Sequence, residues 1–210
     1  MSKSVLKLIA TPLSHYGRKV RILLDLYTLP YEFSNIIGSN IALTKSPSQV
    51  GNNPIMKVPV LVHGENWVIE SDHIASYIVS QFDVTDRYKV NSKLLFDQNS
   101  RAVLNGIMTE EVKILVAGRH NVSLDNSYFN KARDAVENGL NWLEQNHQHF
   151  TATTPTYREF HLTCMWDHLS YYNFVPAMDV KYPKLGNIVS TVSECPIIRQ
   201  TAPSVVEVPK

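Results

Sequence analysis

The chain has little of what defines several protein classes, beginning with cysteine. Only Cys164 and Cys195 occur in 210 residues, and neither belongs to a C-x-x-C pair or to a zinc-binding pattern. The eight histidines are scattered. His161 and His168 share one face of a predicted helix, but two imidazoles are too few for a zinc site. The sequence therefore predicts no disulfide framework, no redox dithiol and no metal site.

An excess of one charge is also lacking, because 20 Lys and Arg residues face 19 Asp and Glu residues, a net charge of +1. Such a chain has no basic surplus for nucleic acid and no acidic excess that would keep it disordered. No run approaches the roughly 20 continuous apolar residues of a membrane span, and Lys7 interrupts the first apolar segment, unlike a secretory signal. With 44% hydrophobic residues, we expect a cytoplasmic globular protein that binds neither nucleic acid nor membrane.

Short apolar runs alternate with helical stripes over residues 1–83, which we predict to be an α/β domain. The predicted elements are a strand at 5–10, an amphipathic helix at 16–26, a strand at 31–37, a poorly patterned helix within 38–53, a hairpin of strands 58–62 and 67–69 around a four-residue turn, and a helix around 74–79. The first two strands flank one helix, which predicts a parallel pair.

Strand signals become rare after a polar linker at 84–90, and residues 91–210 are predicted to form an all-helical domain. Helical periodicity covers 92–118, 124–146, 156–174 and 183–194. Thr156 and Glu159 have the T-x-x-E spacing of a capping box, in which each side chain accepts a hydrogen bond from a free backbone N–H group at a helix start. Pro183 suits the first turn of the last helix.

Three positions at strand ends could carry chemistry. Ser14 follows the first strand, where it is either a helix N-cap or a hydroxyl beside the anion-attracting end of a helix. Pro59 precedes a strand, and local sequence favours an ordinary trans peptide bond after Val58. Glu70 and Ser71 stand at the next strand-to-helix junction, where Ser71 either caps the helix or helps bind a carboxylate, while Glu70 takes an ammonium group.

Together these positions carry a resemblance to the glutathione transferase family, and to its serine-type, bacterial-like members in particular. The chain contains S-x-x-x-R-K-V-R-I at 14–22, N-P-x-x-K-V-P-V-L at 53–61 and E-S-x-x-I at 70–74, in the family's order and spacing. In the helical half the similarity is weaker, but Thr156 and Glu159 fall where the family has its capping box. Three motifs in register, followed by a helical half, are specific for this family.

The resemblance implies a thioredoxin-like domain (βαβαββα) with a glutathione site at a cis-proline edge, followed by a helical domain. Ser14 matches the active-site residue of the serine-type classes, a position that holds cysteine in omega-like classes. The resemblance further implies that Pro59 is cis, that Val58 binds the cysteinyl backbone of glutathione, that Glu70 and Ser71 hold its γ-glutamyl group, and that Lys45 lies near its glycyl carboxylate.

Two positions depart from the family pattern. His15 stands where bacterial-type members often have proline, and we expect an exposed imidazole at a helix start. Met56 stands where glycine is frequent before Val-Pro. Thr11 is a second hydroxyl near enough to replace Ser14, and the sequence does not decide between them.

From these features we expect a glutathione transferase that conjugates the glutathione thiolate to a small electrophilic or hydrophobic substrate, with Ser14 stabilising the thiolate. Serine at position 14 favours conjugation over disulfide exchange. The electrophile would lie against the 92–118 helix and the aromatic residues Trp166, Tyr171 and Tyr172. The alternative for these aromatic residues is that they belong to the hydrophobic core. By resemblance we also expect detoxification and a homodimer. The alternatives are a non-catalytic interaction or regulatory module, and a glutathione-dependent isomerase.

Overall fold

The computed structural model describes residues 5–36 and 45–206. They divide into two compact units, Met1–Asn91 together with Cys195–Lys210, and Ser92–Glu194. The sequence-based division assigned residues 195–210 to the helical part, whereas the structure groups them with the first unit. Arg18 is one link between the two parts of this unit, because its buried guanidinium donates hydrogen bonds to Thr201 Oγ1 and to the Ile198 carbonyl, both at 3.1 Å.

The first unit is built on a four-stranded sheet of order β2-β1-β3-β4. Its strands are β1 (Leu6–Ala10), β2 (Tyr31–Asn35), β3 (Val60–His63) and β4 (Asn66–Ile69). As predicted, β1 and β2 are parallel, while β3 is antiparallel to both β1 and β4. The predicted helix within 38–53 falls partly on residues 37–44, outside the described residues, and a 3₁₀ turn occupies Pro47–Val50.

Helix α1 (His15–Leu26) and helix α2 (Ser71–Phe82) belong to the same unit, with a short α8 (Pro196–Arg199). The apolar stripe predicted for α1 is buried, and Val20, Ile22 and Leu23 have no exposed surface. Burial of such a stripe against the sheet is what stabilises an amphipathic helix in a protein.

The hairpin between β3 and β4 is tighter than the sequence predicted. A four-residue turn was expected, but His63 and Asn66 pair across the strands, which leaves only Gly64 and Glu65 in the loop. Gly64 has φ 62°, a left-handed conformation that glycine adopts without steric cost. The expected turn length was wrong because the pairing continues one residue further on each strand.

The second unit is helical. Its helices are α3 (Leu95–Arg119), α4 (Ser127–Gln145), α5 (Tyr157–Tyr171), α6 (Met178–Lys181) and α7 (Pro183–Val192), with a 3₁₀ turn at His147–His149. The four long predicted helices are all found. Helix α5 is buried nearly all round, since Tyr157, Phe160, Leu162, Met165 and Leu169 are at most 1% exposed, and it therefore forms the core of this unit.

The predicted capping box at the start of α5 is confirmed. Glu159 is fully buried and accepts hydrogen bonds from the Thr156 N–H (2.8 Å) and hydroxyl (2.7 Å), the Thr151 N–H (3.1 Å) and the Arg158 guanidinium (2.7 Å). One carboxylate thus satisfies the donors of the helix start and of the loop before it.

This architecture confirms the predicted combination of a thioredoxin-like α/β part and a mostly helical part. Across the described ranges, no helix has the length and apolar character that crossing a membrane requires.

Candidate functional site

The register of the sheet brings three chain segments to one end of it. Ile9 pairs with Val60, and Val60 pairs with Ile69 on the next strand. The end of β1, the start of β3 and the end of β4 are therefore level with one another. Consequently, the segments that follow β1, precede β3 and follow β4 lie at the same end of the sheet. These segments contain the three motifs found in the sequence.

Ser14 is the N-cap residue of α1. Its half-buried Oγ accepts a hydrogen bond from the Gly17 N–H at 3.2 Å. A serine hydroxyl can accept two hydrogen bonds while donating one, and the structure gives this hydroxyl no acceptor among the described residues. Capping the helix and donating to a bound anion are therefore compatible roles for Ser14.

The start of α1 lies directly on β1 because position 17 has no side chain. A Cβ atom built on Gly17 would lie 2.8 Å from the Ala10 Cβ atom, which is closer than carbon atoms approach in proteins. Thr11, between them in sequence, is half-buried, and its carbonyl accepts a hydrogen bond from the Ser14 N–H at 3.2 Å. Both hydroxyls thus lie in the short connection from β1 to α1.

The Val58–Pro59 peptide bond is cis. Local sequence statistics favoured trans and were wrong here, whereas the family resemblance implied cis and is confirmed. Pro59 is buried and Val58 half-buried. Within residues 5–36 and 45–206, neither the N–H nor the C=O group of Val58 forms a hydrogen bond. Both groups are available to an extended ligand.

Asn53 organises the loop that leads to Val58, a role that the sequence analysis missed. Its buried side chain donates a hydrogen bond to the Lys57 carbonyl at 2.6 Å and accepts one from the Ile55 N–H at 3.1 Å. Met56 has φ 52°, a left-handed backbone conformation that glycine adopts without steric cost. This conformation fits the glycine that is frequent at this position in the family pattern. The Asn-Pro pair at the start of the motif is the sequence signal for such a loop.

Of the two roles considered for Ser71, the cap belongs to its neighbour, because Glu70 is the N-cap of α2. The Glu70 carboxylate accepts hydrogen bonds from the Asp72 N–H at 3.0 Å and from the Ser71 hydroxyl at 3.3 Å. Ser71 is the first residue of the helix, so its binding role stays a prediction. Glu70 has φ 71° and ψ 124°, a strained conformation for a residue with a side chain. Such strain is commonly kept at functional sites.

A buried ion pair joins α1 to α2, and no pattern in the sequence indicates it. Lys19 Nζ lies 2.7 Å from Asp72 Oδ1, with side-chain exposures of 0% and 14%. The Lys19 ammonium group is also 5.9 Å from the centre of the Tyr16 ring.

Two expectations have different outcomes. Lys45 is exposed, and its N–H donates to Gln49 Oε1 at 2.7 Å. Its role at a glycyl carboxylate stays a prediction. His15 was expected to be exposed, but it is only 1% exposed. That expectation was wrong, since the imidazole is packed within the protein. Its Nδ1 accepts a hydrogen bond from the Tyr16 N–H at 3.0 Å, and the two rings make an edge contact at 4.4 Å.

The aromatic residues suggested for the electrophile lie in the second unit. Trp166 is a core residue with 4% exposure, whereas Tyr171 is 46% exposed. The Tyr172 hydroxyl accepts a hydrogen bond from Arg119 at 3.0 Å. His168 lies in the same helix with its Nδ1 2.7 Å from the buried Glu111 carboxylate. A role in substrate binding stays a prediction for Tyr171 and Tyr172.

Comparison with known families identifies the first part of the chain. Residues 8–86 match the model of the glutathione S-transferase N-terminal domain. The chain contains a glutathione S-transferase N-terminal domain. The resemblance predicted from the three motifs is thereby confirmed, while membership of a serine-type class stays a prediction. Over 74 residues, 35% of this chain, the sequence is 40% identical to a probable glutathione S-transferase of Oryza sativa subsp. japonica, of whose length the match covers 30%.

Solved glutathione S-transferase structures share the fold over nearly the full chain. One from Methylobacterium radiotolerans, in complex with glutathione sulfonate, has a TM-score of 0.81 at 18% identity and covers 99% of both chains. One from Methylobacillus flagellatus, with glutathione bound, has a TM-score of 0.79 at 20% identity, covering 94% of this chain and 99% of its own. At these identities the likeness establishes the glutathione S-transferase fold.

Proposed function

We propose that this protein is a glutathione transferase that binds glutathione at the end of the sheet where the three motifs meet. The observation that carries the proposal is the register of Ile9, Val60 and Ile69, which aligns the motif-bearing segments. The proposal is supported by the family match of residues 8–86 and by the two bacterial neighbours whose structures hold glutathione or its sulfonate.

The groups at this end of the sheet suit the parts of glutathione. The backbone N–H and C=O groups of Val58, which form no hydrogen bond with the described part of the chain, fit its cysteinyl peptide as a short antiparallel pairing. The γ-glutamyl end carries an ammonium and a carboxylate. Glu70 would take the ammonium, while the positive N-terminal end of α2 would attract the carboxylate, toward which the Ser71 hydroxyl would turn from Glu70. Lys45 would approach the glycyl carboxylate.

In the chemical step that we propose, the Ser14 hydroxyl donates a hydrogen bond to the glutathione sulfur. Together with the positive end of α1, this stabilises the thiolate and lowers the pKa of the bound thiol toward neutrality. The thiol proton passes to solvent, and the thiolate sulfur forms a bond to a carbon atom of the electrophile. In a substitution the leaving group departs with the electron pair of its bond to that carbon; in an addition the neighbouring atom of the electrophile takes up a proton from solvent. The absence of cysteine at position 14 disfavours disulfide exchange.

The acceptor is a small electrophilic or hydrophobic molecule in this proposal, and the protein acts as a homodimer. The two alternatives make different predictions. A regulatory module would bind glutathione without turning over any electrophile. A glutathione-dependent isomerase would act on an enol acid and leave glutathione unchanged.

Two measurements test the proposal. Calorimetry with glutathione at up to millimolar concentration should show binding, and an aryl halide should be converted. The pH dependence of thiolate absorbance in the complex should give a bound-thiol pKa that rises in Ser14→Ala, with a rate loss of about 100-fold.

Control variants separate hydroxyl chemistry from helix capping. Ser14→Thr retains a hydroxyl and a cap, so it should retain much of the activity, and Thr11→Val should change little. The same losses in Thr11→Val instead of Ser14→Ala would transfer the role to Thr11. No glutathione binding by the wild-type protein would refute the proposal, and binding without turnover on a broad panel of electrophiles would favour the regulatory module.

A further inference from the structure

Two helices begin at the proposed glutathione site, and one buried ion pair joins them close to their N-terminal ends. Lys19 lies in the second turn of α1, and Asp72 in the first turn of α2, with 2.7 Å between Nζ and Oδ1. The Lys19 side chain has no exposed surface. Lysine is seldom fully buried unless its charge is paired, and the Asp72 carboxylate is such a partner.

Asp72 is connected through its own backbone to Glu70 and Ser71, the γ-glutamyl corner of the proposed site. Its N–H donates a hydrogen bond to Glu70 Oε2 at 3.0 Å, and the neighbouring Ser71 hydroxyl donates to Glu70 Oε1 at 3.3 Å. A shift of the Asp72 carboxylate would therefore move the backbone group that orients the Glu70 carboxylate. Glu70 has little freedom of its own, because its φ of 71° is tolerated only where the surroundings impose it.

Lys19 is anchored equally firmly to the segment that holds Ser14. The Arg18 N–H donates to the Ser14 carbonyl at 2.8 Å, and the Gly17 N–H donates to Ser14 Oγ. Gly17 also fixes the distance between α1 and β1, since a Cβ atom there would lie 2.8 Å from the Ala10 Cβ atom. The position of the Lys19 ammonium group is thus set by the same turn of helix that sets the position of the Ser14 hydroxyl.

We propose that Lys19 and Asp72 are positioning residues of the glutathione site. Neither needs to touch the ligand. Their ion pair fixes Glu70 and Ser71, which hold one end of glutathione, relative to Ser14, which acts at its sulfur. A buried ion pair contributes little net stability compared with well-packed apolar side chains, whereas it specifies distance and direction. This proposal rests on the proposed function.

The first test is the affinity for glutathione. Lys19→Met and Asp72→Asn should each weaken glutathione binding about tenfold, equivalent to ~1.4 kcal/mol. The KM for glutathione should rise by a similar factor, while kcat falls much less, because Ser14 stays in place. The double variant Lys19→Met/Asp72→Leu removes both charges of this ion pair together. It should fold and melt near the wild-type temperature, yet show the same loss of affinity.

A matched control is available in the same unit. Lys7 and Glu32 form a 2.8 Å ion pair between β1 and β2, with side-chain exposures of 39% and 61%, and Lys7→Met should leave the glutathione affinity unchanged. A Glu70→Gln background gives a stricter comparison. If Asp72 acts through Glu70, Asp72→Asn should add less than a twofold loss in that background.

A measurement without ligand separates this proposal from the proposed function. In the free protein, amide hydrogen exchange at Asp72 should be about tenfold faster in the double variant than in wild type or Lys7→Met. If wild-type protein binds no glutathione but this exchange difference is found, the proposed function fails and the positioning of the corner stands. Unchanged amide exchange in the double variant overturns the positioning role. If wild-type protein binds glutathione, an unchanged glutathione affinity of the double variant overturns it as well.

Discussion

Replacing Gly17 by alanine tests how closely α1 lies on the sheet. The new Cβ atom would lie 2.8 Å from the Ala10 Cβ atom, whereas carbon atoms in contact prefer about 3.5–4.0 Å. Ala10 is fully buried and has no rotamer that could move aside. The helix start must therefore shift by roughly 1 Å or the strand must yield, and overpacking of this kind costs about 1–3 kcal/mol.

The helix preference of alanine opposes this cost, since alanine is favoured over glycine by about 1 kcal/mol within a helix. The net expectation for Gly17→Ala is a loss of about 1 kcal/mol. Gly106 in α3 is the matched control, because it is exposed and a Cβ atom there would meet nothing within 4 Å. Gly106→Ala should therefore stabilise the protein by up to about 1 kcal/mol.

Thermal unfolding followed by calorimetry gives the comparison directly. For a chain of this length 1 kcal/mol corresponds to about 2–4 °C in Tm, so the two variants should move Tm in opposite directions and differ by about 4–8 °C. Glutathione turnover should fall in Gly17→Ala, because the shift displaces Ser14, and stay unchanged in Gly106→Ala. A rise in Tm for Gly17→Ala similar to that of the control would refute the close approach of α1 to β1.

Three further predictions concern other polar groups. A hydrogen bond from the Thr85 hydroxyl, foremost among several, lowers the pKa of Asp83 from its usual value to about 2. The ionised Asp83 therefore stabilises the protein above about pH 4, and this effect is lost as the pH falls through 2. The Tm difference between wild type and Asp83→Asn should shrink over that window, and a constant difference would contradict this prediction. Glu159→Gln should lower the free energy of unfolding by about 2–3 kcal/mol, because a buried carboxylate that accepts several hydrogen bonds loses its charge; chemical denaturation should show about half that effect for Thr156→Val, and equal effects would be evidence against the central role of the carboxylate. Asn53→Ala should weaken glutathione binding several-fold in calorimetry, because the Lys57 carbonyl loses its 2.6 Å hydrogen bond, and an unchanged affinity would mean that the loop holds Val58 without it.

Periodic patterns predicted the elements of this fold well. The stripe in α1 and the apolar runs of β1, β3 and β4 reflect burial, and the spacing of apolar residues in the sequence indicates it directly. The capping box of Thr156 and Glu159 was also readable, because both partners lie within one turn of chain. Local chemistry with a fixed spacing is what a sequence can express.

Features that depend on distant parts of the chain could not be predicted in this way. The burial of His15, the left-handed backbone of Glu70 and the pairing of Lys19 with Asp72 have no local signature, because each is imposed by packing between elements far apart in sequence. The site residues themselves were found only through three motifs in register. Their spacing along the chain gave the segments, but the sheet register was needed to bring those segments to one end.

The hydrogen bonds from Arg18 to Thr201 and Ile198 have a consequence for how the chain folds during synthesis. The first unit is discontinuous, with residues 92–194 inserted between its two parts. A ribosome therefore completes the helical unit before it delivers the acceptors of this buried guanidinium. Domains commonly fold from the N-terminus as they emerge, but here the unit that is made first is the last to acquire all of its partners. An isolated fragment ending at Asn91 would hold Arg18 without these acceptors.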